Sequence, residues 1–344
     1  HIRHNDRQGR KGGSMMIKGT SSIIIGIVLV SMAFVLALFV GVRSASAEYP
    51  ERTITLIVPY PPGGVTDLGA RAFAEAMEKQ LKRSIVVVNR AGGATTIGGN
   101  VVATAKPDGY TLGYFPPAAS IPEVYTYFYE APYTSKDLKP VCRVATAVGT
   151  IVVKGDSPIN GFKDLVQYVR KNPGTKWGIN TKTSPSYIIT RAIAKAENLS
   201  IIDVAFDGDV KIVPAILGGH IPVGSPTYPS VKSLVDAKQL KLAVLLVEKR
   251  ADFMPANVPL IVEFGYKIPP GMANSVFAPK GTPDEIVKKV NDAAAKVSQE
   301  PAFRSKLMEL GILPSYEETK SFEASTEREK KELQVFFKEE GLVK

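Results

Sequence analysis

At 344 residues, with 44% hydrophobic and 22% charged side chains, the chain is globular rather than disordered and long enough for about two domains. Its formal net charge is +10, but residues 1–47 hold six basic side chains and one acid, leaving 37 basic against 32 acidic elsewhere; that mild, dispersed excess excludes a nucleic-acid footprint. A single cysteine, Cys142, excludes an internal disulfide framework, so stability must come from the core.

In chain order, residues 1–14 are polar and read as lying upstream of a natural start at Met15 or Met16. Lys18, an apolar run over 23–42 and Ala45-Ser46-Ala47 then follow the order of a signal peptide: charged region, apolar region, A-x-A cleavage site. Cleavage predicts a mature start at Glu48 and a periplasmic location. The apolar run is also long enough to span a bilayer, so an uncleaved N-terminal anchor stays open.

Residues 54–58 read as a buried strand, followed by a Pro/Gly loop and a helix over 67–81. A strand is expected over 84–89, a helix over 95–105 after Gly92-Gly93, and a strand over 110–115 after the Pro107-Asp108-Gly109 turn. The pattern then restarts. Strands over 150–154, 176–180, 201–206 and 240–247 alternate with helices over 162–171, 186–197 and 211–217, with a short segment at 222–225. A proline-rich loop near 254–270 leads to a strand over 275–278. Helices over 283–299, 301–310 and 322–340 close the chain, the last amphipathic through Leu333, Phe336 and Phe337.

Continuous apolar strands alternating with helices indicate α/β architecture, with parallel sheet covered on both faces. Two such units joined twice are expected. One lobe takes 48–150 and 247–344, the other 151–246, with a ligand cleft at the carboxyl ends of the strands.

Several blocks together resemble a known family. They are Tyr49-Pro50-Glu51-Arg52 before the first strand, Pro61-Pro62-Gly63-Gly64 with Asp67 and Ala70-Arg71, and Asn89-Arg90-Ala91-Gly92-Gly93 with Ile97-Gly98. Pro107-Asp108-Gly109-Tyr110-Thr111-Leu112 and Ala278-Pro279-Lys280-Gly281-Thr282-Pro283 complete the set. Each block is weak alone. Their order and spacing resemble the solute-binding receptors of tripartite tricarboxylate transporters, the Bug or TctC family. The resemblance implies a type II periplasmic-binding-protein fold, two Rossmann-like lobes closing on a small carboxylate or amide-bearing ligand, and delivery to membrane transporter subunits. A monomer without cofactor is expected.

The candidate ligand-binding residues fall in four loops. In the first, Tyr60, Pro62, Gly63, Gly64, Thr66 and Asp67 join a strand to a helix N-terminus, where backbone N–H groups favour an anion. Gly63 and Gly64 permit close approach, and Asp67 reads as the N-cap. In the second, the small residues Ala119 and Ser120 follow the third strand. In the third, the resemblance places a ligand-gripping turn at Asn180, Thr181, Thr183 and Ser184; threonines stand where glycines are usual, and the added Lys182 reads as solvated. In the fourth, Phe206 and Asp207 stand where the family shows Tyr-Lys. Losing that lysine and gaining Asp207 and Asp209 argues against a di- or tricarboxylate. It favours a monocarboxylate, or a ligand with an amine, amide or hydroxyl at one end.

Enzyme readings find little support. His220 is the only histidine after residue 47, and no nucleophile-elbow, P-loop, zincin or C-x-x-C motif occurs. A hydrolase would need His220 in the cleft. A same-fold receptor feeding a sensor kinase is the nearer alternative. Cys142 and Trp177 both read as core.

Overall fold

The computed structural model describes residues 49–125, 130–206, 208–268, 273–339 and 341. The expected signal segment and Asp207 lie outside the described residues. Among those described, no helix is long and apolar enough to cross a membrane.

The chain runs β1 (Ile54–Val58), α1 (Val65–Leu81), β2 (Ile85–Asn89), α2 (Thr96–Ala103), β3 (Thr111–Phe115), a single turn α3 (Pro117–Ser120) and β4 (Leu138–Thr146). It continues with β5 (Gly149–Lys154), α4 (Phe162–Lys171), β6 (Thr175–Ile179), α5 (Pro185–Ala196), β7 (Ile201–Ala205), α6 (Asp209–Leu217), β8 (Val223–Gly224), α7 (Tyr228–Asp236) and β9 (Leu240–Leu246). It closes with β10 (Ala273–Pro279), α8 (Asp284–Gln299), α9 (Pro301–Glu309), β11 (Leu313–Glu317) and α10 (Thr319–Glu339).

Local sequence explains most of these bounds. On α1, Ala70, Phe73, Ala74, Met77 and Leu81 recur at helical spacing and are buried, and the helix stops where Lys82 turns left-handed at φ 53°. The α4 helix ends at Asn172, just before Pro173-Gly174, where proline cannot continue it and Gly174 takes φ 79°.

Two sheets result. The six-stranded one has the order β11-β4-β10-β3-β1-β2, and the five-stranded one β7-β6-β8-β5-β9. Only part of each is parallel: β1 pairs parallel with β2 and β3, and β6 with β7 and β8. The expectation of parallel sheet is corrected here, because β10 runs antiparallel to β3 and β4, β11 antiparallel to β4, and β5 antiparallel to β8 and β9. Direct returns from one sheet to the other reverse those strands.

Besides the single turn α3, in a stretch read as a loop, three elements were not expected from the sequence. Lys139, Pro140 and Arg143 interrupt the apolar pattern of β4, and its pairing with β10 slips where Pro140, lacking an N–H, faces Phe277. The β11 strand is half-buried throughout and carries Pro314. The α7 helix follows Thr227 at its N-cap, with Pro229 in its first turn.

The expected lobe division also needs a change. Met254, Val258, Leu260 and Ile261 fall in the 247–344 segment assigned to the first lobe, yet they pack in cores built on second-sheet strands. Leu245 at the end of β9 donates its N–H to the Pro259 carbonyl at 3.0 Å, which holds this loop beside the second sheet. The closing helix touches both cores. Phe322 packs with Phe277 and Phe115 of the first sheet, whereas Leu333 and Phe337 pack among Ile151, Trp177 and Val244 of the second.

Candidate functional site

The ends of β1, β3, β6 and β7 and the N-termini of α1, α5, α6 and α7 meet around one cavity of about 700 Å³, its open mouth included. The first-sheet side supplies Tyr60, Pro61, Gly64, Val65, Thr66, Pro116, Pro117 and Asn274. The second-sheet side supplies Asn180, Ser184, Pro185, Ser186, Gly208, Asp209, Val210 and Thr227, and Ala147 sits at the crossover between β4 and β5. No Lys, Arg or His is among these described lining residues. Prolines, valines and an alanine make the apolar part of the walls, with hydroxyls, two side-chain amides, the Asp209 carboxylate and helix-start backbone between them.

The two sides touch. A Cβ placed on Gly63 would lie 3.6 Å from Val210 Cγ1, and one on Gly208 4.0 Å from Pro61 Cδ. The Tyr60 phenol hydrogen-bonds with the Thr181 hydroxyl across the gap. Burial, opposed by that bond and reinforced by the nearby Asp209, pushes the phenol up to about 12, so Tyr60 stays neutral at physiological pH.

The first loop is held from behind. Asp67 is 2% exposed. Its Oδ2 accepts from the Gly63 N–H at 2.9 Å and from Arg71 Nε at 3.0 Å, and its Oδ1 accepts from Asn89 Nδ2 at 2.9 Å. Asn89 Nδ2 also reaches the Tyr60 carbonyl at 2.8 Å, and Arg71 reaches Asn89 Oδ1 at 3.0 Å. Burial alone would raise the Asp67 carboxyl, but Arg71, the Gly63 N–H and Asn89 outweigh it and hold the group below the usual carboxylate range.

This corrects the sequence reading of Asp67. Gly64 is the N-cap of α1, and Asp67 lies in its first turn, reaching back to the loop. Its carboxylate is spent on Arg71, Asn89 and Gly63 rather than turned to the cavity. Gly63 is set at φ 88°, as only glycine readily allows.

Of the candidate residues, Tyr60, Gly64, Thr66, Asn180 and Ser184 line the cavity. The others do not. Pro62 and Gly63 lie exposed on the outer side of their loop. Ala119 is fully buried and its carbonyl accepts from the Tyr133 hydroxyl, while Ser120 turns its own hydroxyl to the Pro117 carbonyl. The Thr181 and Thr183 hydroxyls bond each other at 2.9 Å. Phe206 packs against the core under β6. Lys182 is exposed, in keeping with its solvated reading. His220 is exposed, beyond the far end of α6 from the cavity.

Residues not foreseen include Val65, Ala147, Val210, Thr227 and Asn274. A helix-start signal, Thr followed by Pro two residues on, marks Thr227 in the sequence. Asn274 carries no such signal; it reaches the site only through the antiparallel return of β10, where it accepts from the Thr66 hydroxyl at 3.3 Å.

In the second wall, Ser184 caps α5, accepting from the Tyr187 N–H at 3.1 Å. Asp209 opens α6 and is 3% exposed. Its oxygens accept from Asn180 Nδ2 at 3.1 Å, the Thr227 N–H at 2.8 Å, the Thr227 hydroxyl at 2.5 Å and the Ser230 hydroxyl at 3.2 Å. Burial pushes its carboxyl up, and these donors offset part of that push.

A family model described as the tripartite tricarboxylate transporter family receptor matches residues 69–342. A UPF0065 protein of Bordetella pertussis is 31% identical over 290 residues, covering 81% of this chain and 87% of that protein. The solved periplasmic binding protein BugD aligns with a TM-score of 0.75 at 26% identity, over 85% of this chain and 99% of its own. A Rhodopseudomonas palustris protein solved with adipate, Rpa4515, aligns with a TM-score of 0.77 at 25% identity, over 86% of this chain and 99% of its own.

Proposed function

The chain belongs to the tripartite tricarboxylate transporter receptor family, and from that premise we propose that it captures a small organic monocarboxylate, or an amide-bearing relative, and delivers it to a tripartite-type membrane transporter. It acts outside the cytoplasm, without catalysis, once its signal segment has exported it. The two sheets serve as lobes that open and close about the β4–β5 crossover at 146–149.

One observation carries this reading: the N-termini of the long helices α1 and α5 face one cavity, and no basic side chain is among its described lining residues. The first N–H groups of a helix have no partner within it, and the helix dipole places partial positive charge there. Gly64, Val65, Thr66 and Ser186 sit at those two starts. A carboxylate head is held there without a formal counter-charge, and the proline, valine and alanine walls take the rest of the ligand. The similar protein solved with adipate supports carboxylate chemistry in this fold. His220, at the far end of α6, has no place in such a site.

The test is thermal melting of the purified chain against a panel of aliphatic and aromatic carboxylic acids and their amides. A ligand present at about 100 times its Kd is expected to add roughly 2.7 kcal/mol of stability. A panel in which no acid or amide raises the melting temperature sinks the proposal. For whichever compound binds, Tyr60→Phe is expected to weaken affinity about fivefold, the value of one neutral hydrogen bond. Calorimetry giving equal affinities would show that the Thr181 bond does nothing for closure.

A further inference from the structure

We propose that Asp209 is a built-in carboxylate that fills the distal anion position of the cavity, so that the site accepts monoacids and rejects diacids. The inference rests on the carboxylate-receptor reading above and names the residue that sets its selectivity.

Four helix starts, those of α1, α5, α6 and α7, border the cavity, and each carries partial positive charge. Those of α1 and α5 have no acid turned to the cavity, since Asp67 is bound behind its loop. Those of α6 and α7 differ. Asp209 is itself the first residue of α6, and its Oδ2 takes both the N–H and the hydroxyl of Thr227, the N-cap of α7. Its Oδ1 takes the Asn180 amide, the lining side-chain donor on the same wall. One side-chain carboxylate thus occupies the Thr227 N–H and hydroxyl and one hydrogen of the Asn180 amide, donors that a ligand carboxylate at this end would otherwise meet.

Its charge acts as well. Asp209 lines the cavity, is 3% exposed, and accepts its four bonds from uncharged donors. A second ligand carboxylate brought beside it meets a like charge in a poorly screened site, with both Thr227 donors already taken. An uncharged or apolar tail meets neither obstacle and finds Val210, Pro61 and Ala147 nearby.

The experiment uses the full chain and two matched probe pairs, hexanoate with adipate and butanoate with succinate, each differing by one carboxylate. Calorimetry on the wild type is expected to show the monoacid bound at least tenfold tighter in each pair that binds. In Asp209→Asn, the amide keeps the shape and an acceptor oxygen for Thr227. The monoacid-to-diacid affinity ratio is expected to fall at least tenfold. If Asp209→Asn gives no cooperative melt, Asp209→Ser, which retains a helix-capping hydroxyl, carries the same comparison. Wild-type diacid affinity equal to or above that of the monoacid overturns this inference and leaves the receptor reading intact. So does a folded variant with an unchanged monoacid-to-diacid ratio. Failure of all four acids to bind either protein overturns the carboxylate reading and this inference with it.

Discussion

Replacing Trp177 with alanine is expected to lower the free energy of unfolding by about 4 kcal/mol, the range for deleting a large buried aromatic. Trp177 lies on β6, inside the second sheet, and is 1% exposed. It fills space among Ile151, Ile188, Val223 and Val244, and such interiors relax only partly when volume is removed. Its indole N–H donates to the Ser225 hydroxyl at 2.7 Å. Ser225 also pairs with the Thr190 hydroxyl at 3.0 Å, so truncation leaves no orphaned hydroxyl and the cavity dominates the cost. Trp177→Phe, which keeps most of the volume, is therefore expected to cost less than half as much. Denaturant titrations followed by circular dichroism make the comparison. Equal losses in the two variants would place the energy in the indole hydrogen bond instead. Because Asn180 follows directly on β6, Trp177→Ala is also expected to weaken ligand binding.

Asp67→Ala is the second large effect: about 3 kcal/mol of stability lost, at the low end for breaking a buried ion pair. The low end applies because Arg71 is 49% exposed and can rehydrate, whereas Asp67 is 2% exposed. The variant also strips the Gly63 N–H and Asn89 of their acceptor and so frees the loop that carries Tyr60. Ligand affinity is expected to fall at least tenfold, although Asp67 does not line the cavity. The pH dependence has a definite sign. A carboxyl held below its unfolded value stabilises the fold above roughly pH 4, and that contribution disappears as pH falls through the lowered folded value. The gap between wild type and Asp67→Ala should stay constant from pH 7 to about 5 and narrow in more acid solution. A gap that persists at about pH 2 would mean that the carboxylate charge is not what holds the loop.

How much of this was legible in the sequence depended on where the deciding contacts lay. Strands β1, β3, β6 and β9 and helices α1 and α4 are set by runs of apolar residues and by local punctuation such as Asn172-Pro173-Gly174, so their places could be read directly. The β4 strand could not. Arg143 is tolerated in it only because Glu317 on β11 and Glu329 on α10 meet its guanidinium, at 3.3 and 2.6 Å, partners more than 170 residues away in sequence. The same division holds at the site. Tyr60, Gly64 and Asn180 stand directly after strands, where ligands gather in such sheets. Asp67 was seen but misassigned, because its role depends on Arg71 and Asn89 rather than on its position at a helix start. Asn274 arrives from an antiparallel strand, and no local pattern announces that.

The closing helix α10 has a mechanical consequence. Phe322 is fastened in one core and Phe337 in the other, and 15 residues of α-helix form a rod about 22 Å long. Lys195 on α5 adds a bond to the Glu339 carbonyl at 2.6 Å. A stiff rod anchored at both ends fixes the distance between its anchor points. The rod therefore opposes any sliding of the two cores past one another along its length.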